Sequence, residues 1–413
     1  MDRTINLSSQ IEKQLPTELV EFMQTGGLVA ASQGQKLYLV GGVVRDLLLK
    51  RANFDLDLVV EGDAINLAQR LAEIIQGSIT THPRFNTAKL QWHKWSTDLA
   101  TARSEIYERS GALPKIQPGS LVTDLFRRDF TINTMAVELI PSRYGQLIDL
   151  YDGRNDLKHK LLRVLHQNSF TDDATRIWRG LRYEQRLVFQ FEADTLRLLK
   201  RDISMLDTIS GDRIRHELEL ALREEFPEKI VCRAAELGVL TKLHPALKGD
   251  GWLIEKFGQA RLSNLPLPGL YMALLAYRLT NEENEQLISY LRLRKSFSQI
   301  LRDSNSLKTK LKELDDPELA LSKIYQVLHS YSQIVIAANS LATDSAVIRQ
   351  HIQTYLTKLR YVKPALTGND LQKLGIPPGP RLKEILQKLH EARLDGKVTT
   401  KQRESELVRG FID

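Results

Sequence analysis

Cysteine and aromatic residues are the scarcest resources of this chain. Cys232 is its only cysteine, so an intramolecular disulfide and any Cys-x-x-Cys zinc site are excluded, and a reducing, cytoplasmic setting is expected. Aromatic residues make up 7%, few for a surface that stacks successive bases of a single strand. No run of about 18 apolar residues occurs, and the N-terminus has no basic segment leading into an apolar one. Neither a membrane span nor a signal peptide is therefore expected. A His-Asp dipeptide is also missing, and His216-Glu217 lacks a second histidine four residues on. That excludes the simplest hydrolase metal motifs.

What is present is ordinary globular composition, 42% hydrophobic and 26% charged, with a net charge of +7. A small positive excess permits a polyanionic partner without establishing one. Placement along the chain says more. Up to about residue 150, short strand patterns alternate with helices: Lys36 to Val40, Phe54 to Val60, Thr87 to Trp92, Trp95 to Thr101 and Met135 to Ile140 read as extended, with helices over Val43 to Lys50 and Ala64 to Ile75. From Asp173 onward, three- and four-residue spacings dominate, broken near 207–212, 264–269 and 361–368. The fold class is α+β first, then all-α. Ser104 to Thr123 shows no periodicity and reads as a long loop, a feature that tends to be functional.

Three clusters carry chemistry. In Phe54-Asp55-Leu56-Asp57-Leu58, alternation turns both aspartates to one face, about 7 Å apart, where they can share a hard divalent cation. The alternative is a solvated edge strand, although aspartate is depleted in strands. In Val40-Gly41-Gly42-Val43-Val44-Arg45, glycines at a strand-to-helix junction let a ligand approach the backbone, and Arg45 can reach a phosphate. A tight turn with a surface arginine is the plainer account. The third cluster is Arg127-Arg128-Asp129-Phe130-Thr131-Ile132-Asn133, which by itself could be a salt-bridged helix end.

Together, and in this order, the three resemble the head of the class II tRNA nucleotidyltransferase and bacterial poly(A) polymerase family. Asp172-Asp173-Ala174-Thr175-Arg176, followed by Arg179 and Arg182, resembles that family's nucleobase-reading helix, with Asp172 where glutamate is usual. The strong similarity spans about residues 36–187. Weaker echoes at Leu366-Thr367-Gly368-Asn369-Asp370-Leu371 and Leu374-Gly375-Ile376-Pro377 extend it towards the C-terminus.

The resemblance implies a polymerase-β-like head at 1–150, a neck with the reading helix at 151–210, a helical body at 211–290 and a tRNA-binding tail at 291–413. It implies template-independent addition of AMP, CMP or both, from ATP and CTP, to the 3′ end of tRNA, as in synthesis or repair of the CCA end. Asp55 and Asp57 would hold Mg²⁺, and Asp98 is the candidate third carboxylate. Gly41, Gly42, Arg45, Arg128 and Asn133 would surround the triphosphate, while Asp173, Arg176, Arg179 and Arg182 would face the base. Asp173 accepts where Arg176 donates, a polarity that cytosine and adenine satisfy and uracil and guanine do not. Ala112-Leu113-Pro114 and Pro118-Gly119-Ser120 look like the bacterial members that divide CC and A addition, which points to A addition. The rivals are a poly(A) polymerase and a non-catalytic RNA-binding protein that has kept the head. The paired acids speak against the latter.

Overall fold

The computed structural model describes residues 5–106, 111 and 114–411. Ala112-Leu113, part of the loop wording above, lies outside the described residues. The chain separates into two compact units, Met1–Phe226 and Pro227–Asp413. The first is α+β and the second helical, as the fold class anticipated.

The core of the first unit is a seven-stranded sheet. Its strands are β1 (Lys36–Val40), β2 (Leu56–Glu61), β3 (Ser78–His82), β4 (Thr87–Trp92) and β5 (Trp95–Thr101), followed later in the chain by Ala136–Glu138 and Leu147–Ile148. The order is β3, β4, β5, β2, β1, then the two later strands. β2 pairs parallel with β5 and antiparallel with β1. Leu37, Leu39, Leu56, Leu58 and Val60 are buried almost completely, so one face of the central strands is fixed by apolar burial. That leaves Asp57 on the opposite face. Its Cα partners are Val40 on β1 and Asp98 on β5.

Two expectations change. Asp55 stands just ahead of β2 rather than inside it, because the Asn53 side-chain oxygen accepts from the Asp55 N–H at 3.0 Å and turns the chain there. The supposed loop from Ser104 holds an antiparallel ribbon, Arg103–Ile106 against Lys115–Pro118, and then a helix, Leu121–Phe126. Ser120 and Thr123 close that helix's N-terminus with a capping box. The ribbon escaped notice because neither of its faces is fully buried, so no apolar alternation marks it.

The helix that carries Arg176, Arg179 and Arg182 runs Thr175–Leu187, and a later helix spans Gly211–Ala221. In the second unit, Leu307, Leu314, Ile324, Leu328 and Val335 belong to one apolar core, and Leu366, Leu371, Ile385 and Leu389 to another. Fully buried Glu404 accepts from the backbone N–H groups of Ala365 and Leu366 and pairs with Arg393. This replaces the hydration that a buried carboxylate loses. Among the described residues, no helix is long and apolar enough to cross a membrane.

Candidate active site

A cleft of about 700 Å³ opens over the carboxylate edge of the sheet in the first unit. It is lined by Gly41, Gly42, Arg45, Asp55, Asp57, Asp98, Arg128, Asn133, Asp173, Arg176, Arg179 and Arg182. Every residue named from the sequence for catalysis or nucleotide binding thus reaches one cavity.

The junction after β1 explains its floor. Gly41 has φ +76°, and a Cβ there would come within 3.2 Å of Arg128 Nη1 and 3.3 Å of Asp57 Oδ2. Glycine alone tolerates both the backbone and the crowding. Asp57 makes no side-chain hydrogen bond or ion pair among the described residues. Burial pushes its carboxyl up to about 6, Arg128 opposes this, and the charges of Asp55 and Asp98 add to it. Asp55 is exposed. Asp98 lies beside Asp57 in register, with Lys89 Nζ at 3.5 Å.

The cationic wall behaves differently, for nearly all of its charge is engaged. Arg45, 3% exposed, forks onto Asp46 at 2.9 and 2.8 Å and donates to Asn133 at 2.8 Å. Asn133 in turn donates to Asp129 at 2.9 Å. Asp129 receives Arg179 at 2.8 and 2.6 Å. Burial works to raise the Asp129 carboxyl, but Arg179, Asn133 and the Phe130 N–H outweigh it and hold it at about 2. Arg182 pairs with Glu217 at 2.9 Å and Glu224 at 3.3 Å. Arg128 and Arg127 share the fully buried Asp124. Such paired cations keep fixed positions, which suits a preorganised phosphate site better than flexible free charge.

Asp173 and Arg176 are also held. Asp173 Oδ1 accepts from Thr175 N and Oγ1 and from Arg213 at 2.8 Å. Arg176 spends three bonds on Ser169 O, Ser169 Oγ and Arg127 O, leaving its other N–H groups for a ligand. Asp172 turns aside, its carboxylate 3.9 Å from His166.

Sequence reasoning missed Tyr183, Arg213 and Glu217. The Tyr183 ring lies 5.5, 5.8, 5.8 and 5.1 Å from Arg45, Arg179, Arg182 and Arg186, a shared cation–π contact. Its spacing from Arg176 and Arg179 could have revealed it, since residues three and four apart share a helix face. Arg213 and Glu217 arrive from the Gly211–Ala221 helix, with no local signal.

The donors present fit a hard cation. No group of three or more His, Cys, Asp or Glu among the described residues forms a complete metal cage. Magnesium, however, is characteristically held by one or two carboxylates plus substrate phosphates and water. Asp55 and the under-neutralised Asp57 supply that kind of partial set.

Comparison with known proteins agrees with this architecture. Residues 37–163 match the family described as Poly A polymerase head domain, and residues 188–250 match Probable RNA and SrmB-binding site of polymerase A. The chain is 35% identical, over 98% of its length, to an A-adding tRNA nucleotidyltransferase of Geobacter sulfurreducens, of which it spans 48%. It is 32% identical, over 99% of its length, to the A-adding tRNA nucleotidyltransferase of Halalkalibacterium halodurans, of which it spans 96%. A Thermotoga maritima CCA-adding enzyme complexed with tRNA superposes over 100% of both chains with a TM-score of 0.80 at 29% identity. The chain belongs to the class II tRNA nucleotidyltransferase family, enzymes that add nucleotides to tRNA 3′ ends.

Proposed function

We propose that this chain transfers AMP from ATP to the 3′-hydroxyl of a tRNA that lacks only its terminal A. The reading rests above all on Asp55, Asp57 and Asp98 facing Asp173 and Arg176 across one cleft. A-adding activity in the two relatives above supports the choice of ATP over stepwise addition of C and A.

In the reaction the RNA 3′-oxygen bonds to the α-phosphorus, the bridging bond to the β-phosphate breaks, and pyrophosphate leaves. Asp55 and Asp57 would hold Mg²⁺, which supplies Lewis acidity at the triphosphate and lowers the pKa of the attacking hydroxyl. Asp98, half-exposed beside Asp57, orients that hydroxyl and receives its proton. Gly41 and Gly42 let the phosphates approach the backbone. Arg128, fixed by Asp124, meets them with a charge that needs no reorganisation. The Arg45, Asn133, Asp129 and Arg179 chain keeps the wall rigid, while Asp173 accepts from the adenine amino group and Arg176 donates to a ring nitrogen. The head at 1–150 performs the chemistry, 151–210 reads the base, and the helices of 211–290 and 291–413 hold the tRNA body by phosphate and shape.

The test is incorporation into tRNA lacking one, two or three terminal nucleotides, with ATP and CTP supplied separately. One AMP added only to the form lacking one nucleotide is the expected result. CMP added to shorter forms without AMP would make it a CC-adding enzyme, CMP and then AMP a CCA-adding enzyme, and long A tails on unstructured RNA a poly(A) polymerase. No incorporation into any RNA would refute the enzymatic reading.

A further inference from the structure

Next to the first cleft lies a second cavity of about 700 Å³, which shares Glu105, Arg127 and Arg176 with it. We propose that it receives one unpaired nucleobase of the RNA 3′ end, held by stacking on Phe126 and by the Asp172 carboxylate. This rests on the tRNA reading above and adds a substrate subsite to it.

The lining speaks for a flat, neutral, polar-edged ligand. Phe126, 45% exposed at the end of its helix, lines the cavity, so its ring is accessible to a ligand there. Its centroid lies 5.1 Å from that of His166 and 5.9 Å from that of Tyr151, both tilted, so the three rings form an aromatic corner. Asp172, 3.9 Å from His166, adds an acceptor suited to an exocyclic amino group. A phosphate would find little here. The lining sets Arg127 and Arg176 against Glu105 and Asp172, so it offers no excess of positive charge. Stacking on aromatic side chains is how proteins hold bases splayed from an RNA end. The position also accounts for Asp172, which lines this cavity and not the nucleotide cleft.

Steady-state extension of tRNA lacking its last nucleotide tests the idea in the full-length protein. Phe126→Ala should raise KM for the tRNA about tenfold, the weight of one stacked base, while KM for ATP stays within about twofold; Phe126→Trp should restore the wild-type value. Asp172→Ala should raise the same KM about threefold, as loss of one hydrogen bond does. tRNAs made abasic at each of the last three nucleotides then locate the base. On the RNA lacking the docked base, wild type and Phe126→Ala should have equal KM, whereas the other RNAs keep the difference. An unchanged tRNA KM in both variants overturns the subsite, as does an equal loss on every abasic RNA, which marks a structural role. In either case active wild-type enzyme leaves the tRNA reading standing, whereas inactive wild-type enzyme refutes both.

Discussion

Asp57 and Asp129 line the same cleft and are both largely withdrawn from water, yet their carboxyls move in opposite directions. Burial raises Asp57 to about 6, Arg128 pulls against it, and Asp55 and Asp98 add repulsion. Burial also acts on Asp129, but Arg179, Asn133 and the Phe130 N–H more than offset it and bring that group to about 2. The difference is one of completeness. Asp129 is a finished structural node whose charge is wholly answered within the protein. Asp57 carries a charge that the fold leaves unanswered, which in the proposed reaction a cation arriving with substrate would complete.

Replacing each aspartate by its amide separates the two roles. Asp57→Asn should lower incorporation on the order of 10³-fold, the several kcal/mol that a lost metal contact represents. It should also raise the melting temperature by about 2–4 °C, because an unpaired buried charge disappears. A drop in melting temperature would erase the contrast. Asp129→Asn should do the reverse to the fold, costing about 3 kcal/mol in urea denaturation, since Arg179 keeps the Tyr183 hydroxyl at 3.2 Å but has Glu217, 3.9 Å away, as its remaining carboxylate among the described residues. A loss under about 1 kcal/mol would show that Glu217 takes over.

Acid sharpens the same comparison. A carboxyl at about 2 in the folded chain, against 3.8 when exposed, contributes stability that is fully present above pH 4. That stability fades as pH falls towards 2, amounting to about 2.5 kcal/mol. The stability of wild type should therefore fall through that window more steeply than that of Asp129→Asn. Parallel acid limbs for the two proteins would deny Asp129 this role.

The parts of the site legible in the sequence are those whose chemistry is local. Two glycines before a helix, an Asp-x-Asp in an apolar strand and arginines at helical spacing each announce themselves within ten residues, and all reach one cleft. The fold class was legible for the same reason, since periodicity changes from two to about four near Asp173. What stayed hidden depends on partners far along the chain. Nothing near Asp173 signals Arg213, nor does anything near Arg182 signal Glu217. The ribbon at Arg103–Ile106 buries neither face fully, so it lacks the pattern by which strands are recognised. Most misleading was the arginine-rich face itself. Its spacing in the sequence says nothing of its counter-charges, and Asp46, Asp124, Asp129, Glu217 and Glu224 answer most of it.

The smallest expected effect concerns the rim, where the contrast between answered and unanswered carboxylates is least settled by burial. Lys89 stands opposite Asp98 in the β4–β5 register, 3.5 Å away, with side chains 42% and 54% exposed. Exposed pairs of this kind contribute about 0.5 kcal/mol or less, so Lys89→Ala should leave stability within that margin. If Lys89 belongs to Asp98, the dependence of tRNA affinity on salt should also be unchanged. Were it instead a phosphate contact, the slope of log affinity against log salt would shrink by about one. That result would place Asp98 beside Asp57 among the carboxylates left for a ligand to complete, and the partial neutralisation of the rim would have to be credited to RNA.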